Sequence, residues 1–164
     1  ISGPGAENFL DYLVANRIPK KIGQIGLCHA LNSQGGIHSE FTILRESVDS
    51  FYLVSAGALQ RLDHDYIRKF MPIDGSVEYK HLTDAMGVLV LAGPKSRALL
   101  NKVSNADFSN EAFRWLTAKN IEIDGCQLNA MRVNYVGELG WELHHPIDHQ
   151  NQIFDALFLS LIHI

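Results

Sequence analysis

At 164 residues, with 46% hydrophobic and 20% charged residues, the chain can bury a substantial core as one large domain or two small ones. The net charge of −4 and the scattered basic residues argue against a nucleic-acid partner, because phosphate neutralisation needs clustered Lys and Arg. No apolar run approaches the ~20 residues of a membrane span. Cys28 and Cys126 lie far apart and outside any C-x-x-C pattern. They read as two reduced, buried thiols, which suits the cytoplasm or, alternatively, a mitochondrial matrix.

Ile1-Ser-Gly-Pro reads as the tail of a strand, and Phe9, Leu10, Leu13 and Val14 then recur at helical spacing after Pro4. Residues 24–32 and 37–45 read as strands joined at the Gly-rich turn Asn32-Ser-Gln-Gly-Gly36. A third strand runs from Phe51 to Ser55. An amphipathic helix follows from Gly57 to Phe70, stopped by Pro72. The second half opens with the strand Val88 to Ala92, then Gly93-Pro94 and a helix to about Val103. A short helix is expected near Ser109–Leu116, capped by Ser109 or Asn110. Strands at about 121–123, 126–134 and 140–145 precede a last helix from about Asp148. The final residues, Phe158 to Ile164, carry no helix stop signal, so the fold is expected to be incomplete at both ends.

The halves match in order. Ser2-Gly3-Pro4 with Phe9-Leu10 is answered by Ala92-Gly93-Pro94 with Leu99-Leu100. The pattern predicts an α+β fold of duplicated, mostly antiparallel sheet units with covering helices, divided into residues 1–84 and 85–164. The competing reading is chance agreement of two Gly-Pro turns.

Three stretches carry candidate chemistry. Alternation in the strand after Gly35-Gly36 places Ile37, Ser39, Phe41 and Ile43 on one face and His38, Glu40, Thr42 and Leu44 on the other. Glu40 is either a carboxylate held at a pocket mouth or a solvated strand residue. In Tyr135-Val-Gly-Glu-Leu-Gly140-Trp141-Glu142, an aromatic ring and a carboxylate suit a flat, donor-rich heterocycle, while a plain hairpin with a surface glutamate is the alternative. In Leu53-Val54-Ser55-Ala-Gly57, Ser55 and the backbone N–H groups at the helix start either hold a polar ligand edge or form a simple cap. No metal site is expected. Pro146 separates His145 from His149, and Asp63, His64 and Asp65 point in different directions on a helix. Gly93-Pro94-Lys95 reads equally as an anion-binding turn or a packing turn.

Taken in order, Ser-Gly-Pro-helix, Gly-Gly-Ile-x-x-Glu, Leu-Val-Ser-Ala-Gly, Leu-Ala-Gly-Pro-Lys and Tyr-x-Gly-Glu-x-Gly-Trp-Glu-Leu resemble the aminomethyltransferase (T-protein) family up to about Leu157. His38 to Arg45, Phe51 to Gly57 and Arg61 to Asp65 look closer to dimethylglycine and sarcosine dehydrogenases, in which a similar module follows an FAD-dependent domain. The resemblance implies a tetrahydrofolate site and a folate-dependent aminomethyl-transferring or demethylating enzyme. FAD is implied only in a parent domain absent from this chain. Glu40 then takes the family's acid/base position, with Ser39 standing where those proteins usually carry a first aspartate. Val54 and Ser55 align with the folate-contacting stretch, Tyr135 with a tyrosine lining the pterin pocket, and Glu142 with the glutamate on the pterin nitrogens. The implied partners are a small-molecule folate and a methylated amine. Non-catalytic binding or assembly is the alternative, as is demethylation of another methylated substrate. Self-association through exposed apolar surface is a further expectation, against which a monodisperse monomer in light scattering would count.

Overall fold

The computed structural model describes residues 1–161; the expectation about the last residues falls partly on 162–164, outside them. The chain divides into two units, one from Ile1 to His81 and one beginning at Leu82.

In the first unit, helix α1 (Ala6–Leu13) starts two residues after Pro4 and buries Ala6, Phe9, Leu10 and Leu13. Strands β1 (Ile25–Leu31), β2 (Ile37–Arg45) and β3 (Phe51–Val54) form an antiparallel sheet in the order β1-β2-β3. The β1–β2 turn is fixed by the Asn32 side-chain oxygen, which accepts from the N–H groups of Gln34 and Gly36 at 2.9 and 3.0 Å. A register shift at Ala30/Leu31 breaks the expected alternation at its start. Ser39, Phe41 and Ile43 face the core as expected, but Ile37 is turned out to solvent. Leu44, expected on the other face, is also buried. A 3-10 turn at Gly57–Leu59 leads into α2 (Gln60–Phe70), which ends at Met71, where the next residue is Pro72. Phe9, Leu10, Cys28, Phe41, Ile43, Phe51 and Ile67 fill the core between helices and sheet.

In the second unit, β4 (Met86–Ala92), α3 (Ser96–Val103), β5 (Ala118–Ile123), β6 (Cys126–Met131), β7 (Gly140–Pro146) and α4 (Gln150–Leu161) give a sheet in the order β4-β7-β6-β5. All its pairings are antiparallel. Leu99, Leu100, Phe108, Phe113, Trp141, Leu143 and Ile153 form the core, each such side chain contributing roughly 1.5–3 kcal/mol by leaving water. The helix expected near 109–116 is absent. Ser109 caps a single turn, taking the Ala112 N–H on Oγ at 3.2 Å and the Phe113 N–H on its carbonyl at 2.9 Å. The next carbonyls are already engaged elsewhere: Arg132 takes that of Phe113, and the Thr117 hydroxyl takes that of Arg114 at 2.6 Å. Leu116 then adopts φ +57°, which closes off helical continuation.

The units repeat one another, with partners 90 residues apart through most of the chain. Gly3 and Gly93 have φ +111° and +125°. Helix Ala6–Leu13 is answered by Ser96–Val103, turn Gly57–Leu59 by Ile147–His149, and the start of α2 at Gln60 by the start of α4 at Gln150. Hydrogen bonds repeat too: Ala6 N–H to Gly3 O (3.0 Å) and Ser96 N–H to Gly93 O (3.1 Å), then Val14 N–H to Leu10 O and Ser104 N–H to Leu100 O. The bridge Ser2–Ser50 takes the place of the pair Ala92–Gly140, so Ile1 and Ser2 stand beside β3 as the end of β4 stands beside β7. Gly-Pro at the head of each helix is therefore the mark of a repeated unit. Among the described residues, no helix is long and apolar enough to cross a membrane.

Candidate functional site

In the first unit, Glu40 projects from β2 into solvent, its side chain 65% exposed. It is not alone. The β1–β2 register sets it opposite His29, whose Nε2 lies 3.0 Å from Glu40 Oε1. Asn16 positions the histidine from behind: its Oδ1 accepts the His29 backbone N–H at 2.8 Å and lies 3.3 Å from Nδ1. The resulting arrangement is suited to holding the Glu40 carboxylate in one orientation, with Asn16 fixing the His29 ring that faces it. Sequence reasoning named Glu40 and missed both supports: a regular hairpin from the Asn32–Gly36 turn would set His29 opposite Ser39, and only the shift at Ala30/Leu31 brings it opposite Glu40. Ser39 is buried on the opposite face, its hydroxyl 2.8 Å from His38 Nδ1. The His38 ring stacks on Tyr66 of α2, with centroids 4.2 Å apart.

Val54 ends β3 opposite Thr42, two residues beyond Glu40 on the neighbouring strand, and Ser55 follows it, half-buried. The simple-cap reading of Ser55 does not hold. The residue before α2 is Leu59, and no side chain caps the helix or the 3-10 turn before it. Beside this turn lies an open cleft of about 470 Å³ lined by Gly57, Ala58, Gln60, Arg61, His64 and His81. His64 Nδ1 lies 3.1 Å from the Tyr79 hydroxyl, and Gln60 Nε2 lies 3.3 Å from His81 Nε2. Burial raises the Tyr79 hydroxyl above its ordinary pKa, which keeps it protonated as a donor to His64. The three neighbours in Asp63-His64-Asp65 diverge. Asp63 is buried, His64 reaches the cleft, and Asp65 points out to Arg61 at 4.0 Å. Among the described residues no group of three or more His, Cys, Asp or Glu is placed to hold a metal ion.

In the second unit, Glu142 sits in the middle of β7, flanked by Val90 on β4 and Met131 on β6. Its side chain is only 20% exposed, and Oε2 lies 3.2 Å from Nε2 of the fully buried His144. Alternation along β7 turns Trp141 into the core and Glu142 to the opposite face. Tyr135 stands apart. It lies on the β6–β7 loop, 97% exposed, and makes no side-chain hydrogen bond or ring contact among the described residues. The loop itself is ordered by Asn134, whose Oδ1 accepts the Val136 N–H at 3.1 Å and whose Nδ2 donates to Glu138 O at 2.8 Å.

Comparison with known proteins gives a consistent family. The profile described as the GCVT N-terminal domain matches residues 1–160. Human mitochondrial dimethylglycine dehydrogenase is 34% identical over 158 residues, covering 96% of this chain and 18% of that protein. The aminomethyltransferase of a Thermoanaerobacter species is 27% identical over 158 residues, covering 96% of this chain and 42% of that protein. The crystal structure of glycine cleavage system aminomethyltransferase T from Bartonella henselae matches with a TM-score of 0.80 at 24% identity, over 95% of this chain and 41% of that one. The chain thus spans less than half the length of each of these proteins.

Proposed function

The chain belongs to the family of GCVT N-terminal domains, and from that premise we propose that it is the tetrahydrofolate-binding, one-carbon-transferring part of an aminomethyltransferase-like enzyme. The dehydrogenase relatives support a parent that acts on a methylated amine such as dimethylglycine or sarcosine. Their names also support the mitochondrial alternative over the cytoplasm as its compartment. FAD would belong to a parent domain outside this chain.

The observation that carries the reading is the seating of Glu142. A carboxylate in mid-strand is mostly withdrawn from water and held through one oxygen by a buried histidine. Its other oxygen carries no partner among the described residues. That is the fit required by the donor-rich edge of a pterin, which offers adjacent N–H groups to a fixed acceptor. Tyr135, exposed on its loop, is available to stack on the same ring. In the first unit, Val54 and Ser55 would contact folate. Glu40, oriented by His29 and Asn16, would take up or return a proton during transfer. Tetrahydrofolate, when bound, supplies the nitrogen that accepts the one-carbon unit. A non-catalytic folate-binding module is the second reading, favoured by the neutral, inward-facing Ser39 at the position where the resemblance to the T-protein pattern implies an aspartate.

Calorimetric titration with 5-formyltetrahydrofolate tests the proposal. Saturable binding is expected, weakened at least about tenfold in Glu142→Ala. Glu40→Gln should leave binding intact and lower turnover of the full-length parent. Unchanged affinity in Glu142→Ala would remove the pterin assignment, and unchanged turnover in Glu40→Gln would favour the non-catalytic module.

A further inference from the structure

The repeat supplies an internal comparison for a pair of arginines that the folate reading does not use. At the end of β2, the Arg45 guanidinium lies 5.0 Å from the centre of the Phe51 ring. Its Nη2 meets Glu7 Oε2 on α1 at 2.8 Å. A buried cation, an aromatic floor and a neutralising carboxylate make a closed set. In the second unit, Arg132 follows β6 and lies 5.6 Å from the centre of the Trp141 ring. The position that answers Glu7, at the start of α3, is Arg97.

Arg97 also lies against Trp141, 5.9 Å from a ring centre. Both guanidiniums reach the same neutral atom: Arg97 Nη2 and Arg132 Nη2 donate to Asn110 Oδ1 at 2.6 and 2.8 Å. Arg132 gives Nη1 to the Phe113 carbonyl. Neither arginine meets a carboxylate among the described residues. Lys119 adds a third cation nearby, over the Phe113 ring at 5.3 Å. Two like charges sharing one amide oxygen repel, and desolvation raises that cost. Burial, and then the neighbouring Arg97 charge, lower the pKa of Arg132.

We infer that the Arg97–Arg132 pair over Trp141 is a binding site for an oxyanion, the carboxylate or phosphate group of a small-molecule ligand. This ligand supplies the charge that Glu7 supplies in the first unit. The Nε atoms of both arginines are shut away without partners, so the terminal nitrogens must do the binding. Arg97 Nη1 makes no hydrogen bond among the described residues, and it belongs to the same planar fork as Nη2. The site is separate from the proposed pterin contact, because Trp141 and Glu142 occupy opposite faces of β7.

The chain has two tryptophans, Trp115 and Trp141, and Trp115 is exposed. Trp115→Phe therefore leaves Trp141 as a fluorescent reporter at the site. In that background the chain is titrated with inorganic phosphate and, separately, with acetate, with chloride holding the ionic strength constant. A saturable change in Trp141 emission is expected with at least one of them, and the tighter one identifies the group. Arg97→Gln should weaken it about tenfold or more. Arg97→Glu should abolish it and raise the melting temperature measured without added oxyanion, by rebuilding the Glu7–Arg45 arrangement. The inference fails if phosphate and acetate both act no differently from chloride. It also fails if Arg97→Gln responds like the parent, since the stacked arginines would then be packing alone. Neither readout depends on folate, so failure here leaves the folate reading untouched.

Discussion

Replacing Gly3 and Gly93 by alanine, one at a time, tests whether the repeated turns are equally constrained. Both residues have positive φ, so each alanine pays about 1–3 kcal/mol of backbone strain. Their surroundings differ. A Cβ on Gly93 meets nothing within 4 Å, whereas one on Gly3 would lie 2.5 Å from the Ser76 carbonyl oxygen. That oxygen accepts the Gly5 N–H at 2.9 Å, next to the bridge between Ser2 and Glu78. Pushing the segment away costs about 1–3 kcal/mol of overpacking and about 0.5–1.5 kcal/mol for the weakened bond. Gly3→Ala should therefore cost at least about 1.5 kcal/mol more than Gly93→Ala. Urea unfolding can follow each unit separately. Trp115 and Trp141 both report on the second unit, and Cys28 thiol exposure, in a Cys126→Ala background, reports on the first. The larger loss moves the midpoint of the first unit by roughly 0.5–1.5 M more than Gly93→Ala moves that of the second. Equal losses, or a first-unit midpoint that barely moves, would refute the steric argument.

Glu7 donates no proton but accepts two charged donors, from Lys20 at 2.7 Å and Arg45 at 2.8 Å. These bonds, Lys20 first, hold its carboxyl below the ordinary value of 4.5. A depressed folded-state pKa adds stability above the unfolded value, and that stability is lost as pH falls through the folded one. Glu7→Gln should thus lower the melting temperature of the first unit near neutrality, with the difference closing below about pH 4; a gap independent of pH would contradict it. Cys28 is buried, which pushes its thiol up to about 11. Native protein at pH 8 should resist iodoacetamide at this residue and react once urea unfolds the first unit. Rapid native alkylation of Cys28 would overturn that.

The elements that sequence showed well are those whose signals are local. Phe9, Leu10 and Leu13 are spaced for one helical face, and Asn32 to Gly36 contains its own hydrogen-bond acceptor and a glycine at φ +80°. Elements decided by distant groups were hidden. Residues 109–116 begin like a helix and stop because Arg132, nineteen positions on, takes the Phe113 carbonyl. The shift at Ala30/Leu31 that turns Ile37 outward depends on how two strands meet. Candidate chemistry divided in the same way. Glu40 and Glu142 stood out beside their glycines, but His29, Asn16 and His144 acquire meaning only when neighbouring strands and loops are brought alongside.

The repeat also sorts structural demand from other demand. A residue required by the scaffold should recur at the matching position of the other unit, because the same backbone makes the same request twice. Leu10 and Leu100 recur, both fully buried, and Phe51 and Trp141 recur as large buried aromatics. The candidate carboxylates do not. Matching the β2–β3 and β6–β7 ladders sets Glu40 against Gln127 and Glu142 against Tyr52. Gln127 there donates to Glu122 at 2.7 Å, so the cross-strand contact of His29 with Glu40 persists in form while its acid moves to the other strand. Neither acid is therefore explained by what holds its unit together. Exchanging the pair of positions, Glu40→Gln with Gln127→Glu, should keep both units folded and fail to restore what Glu40→Gln removes. A scaffold role for Glu40 would instead show as lost stability in the single variant.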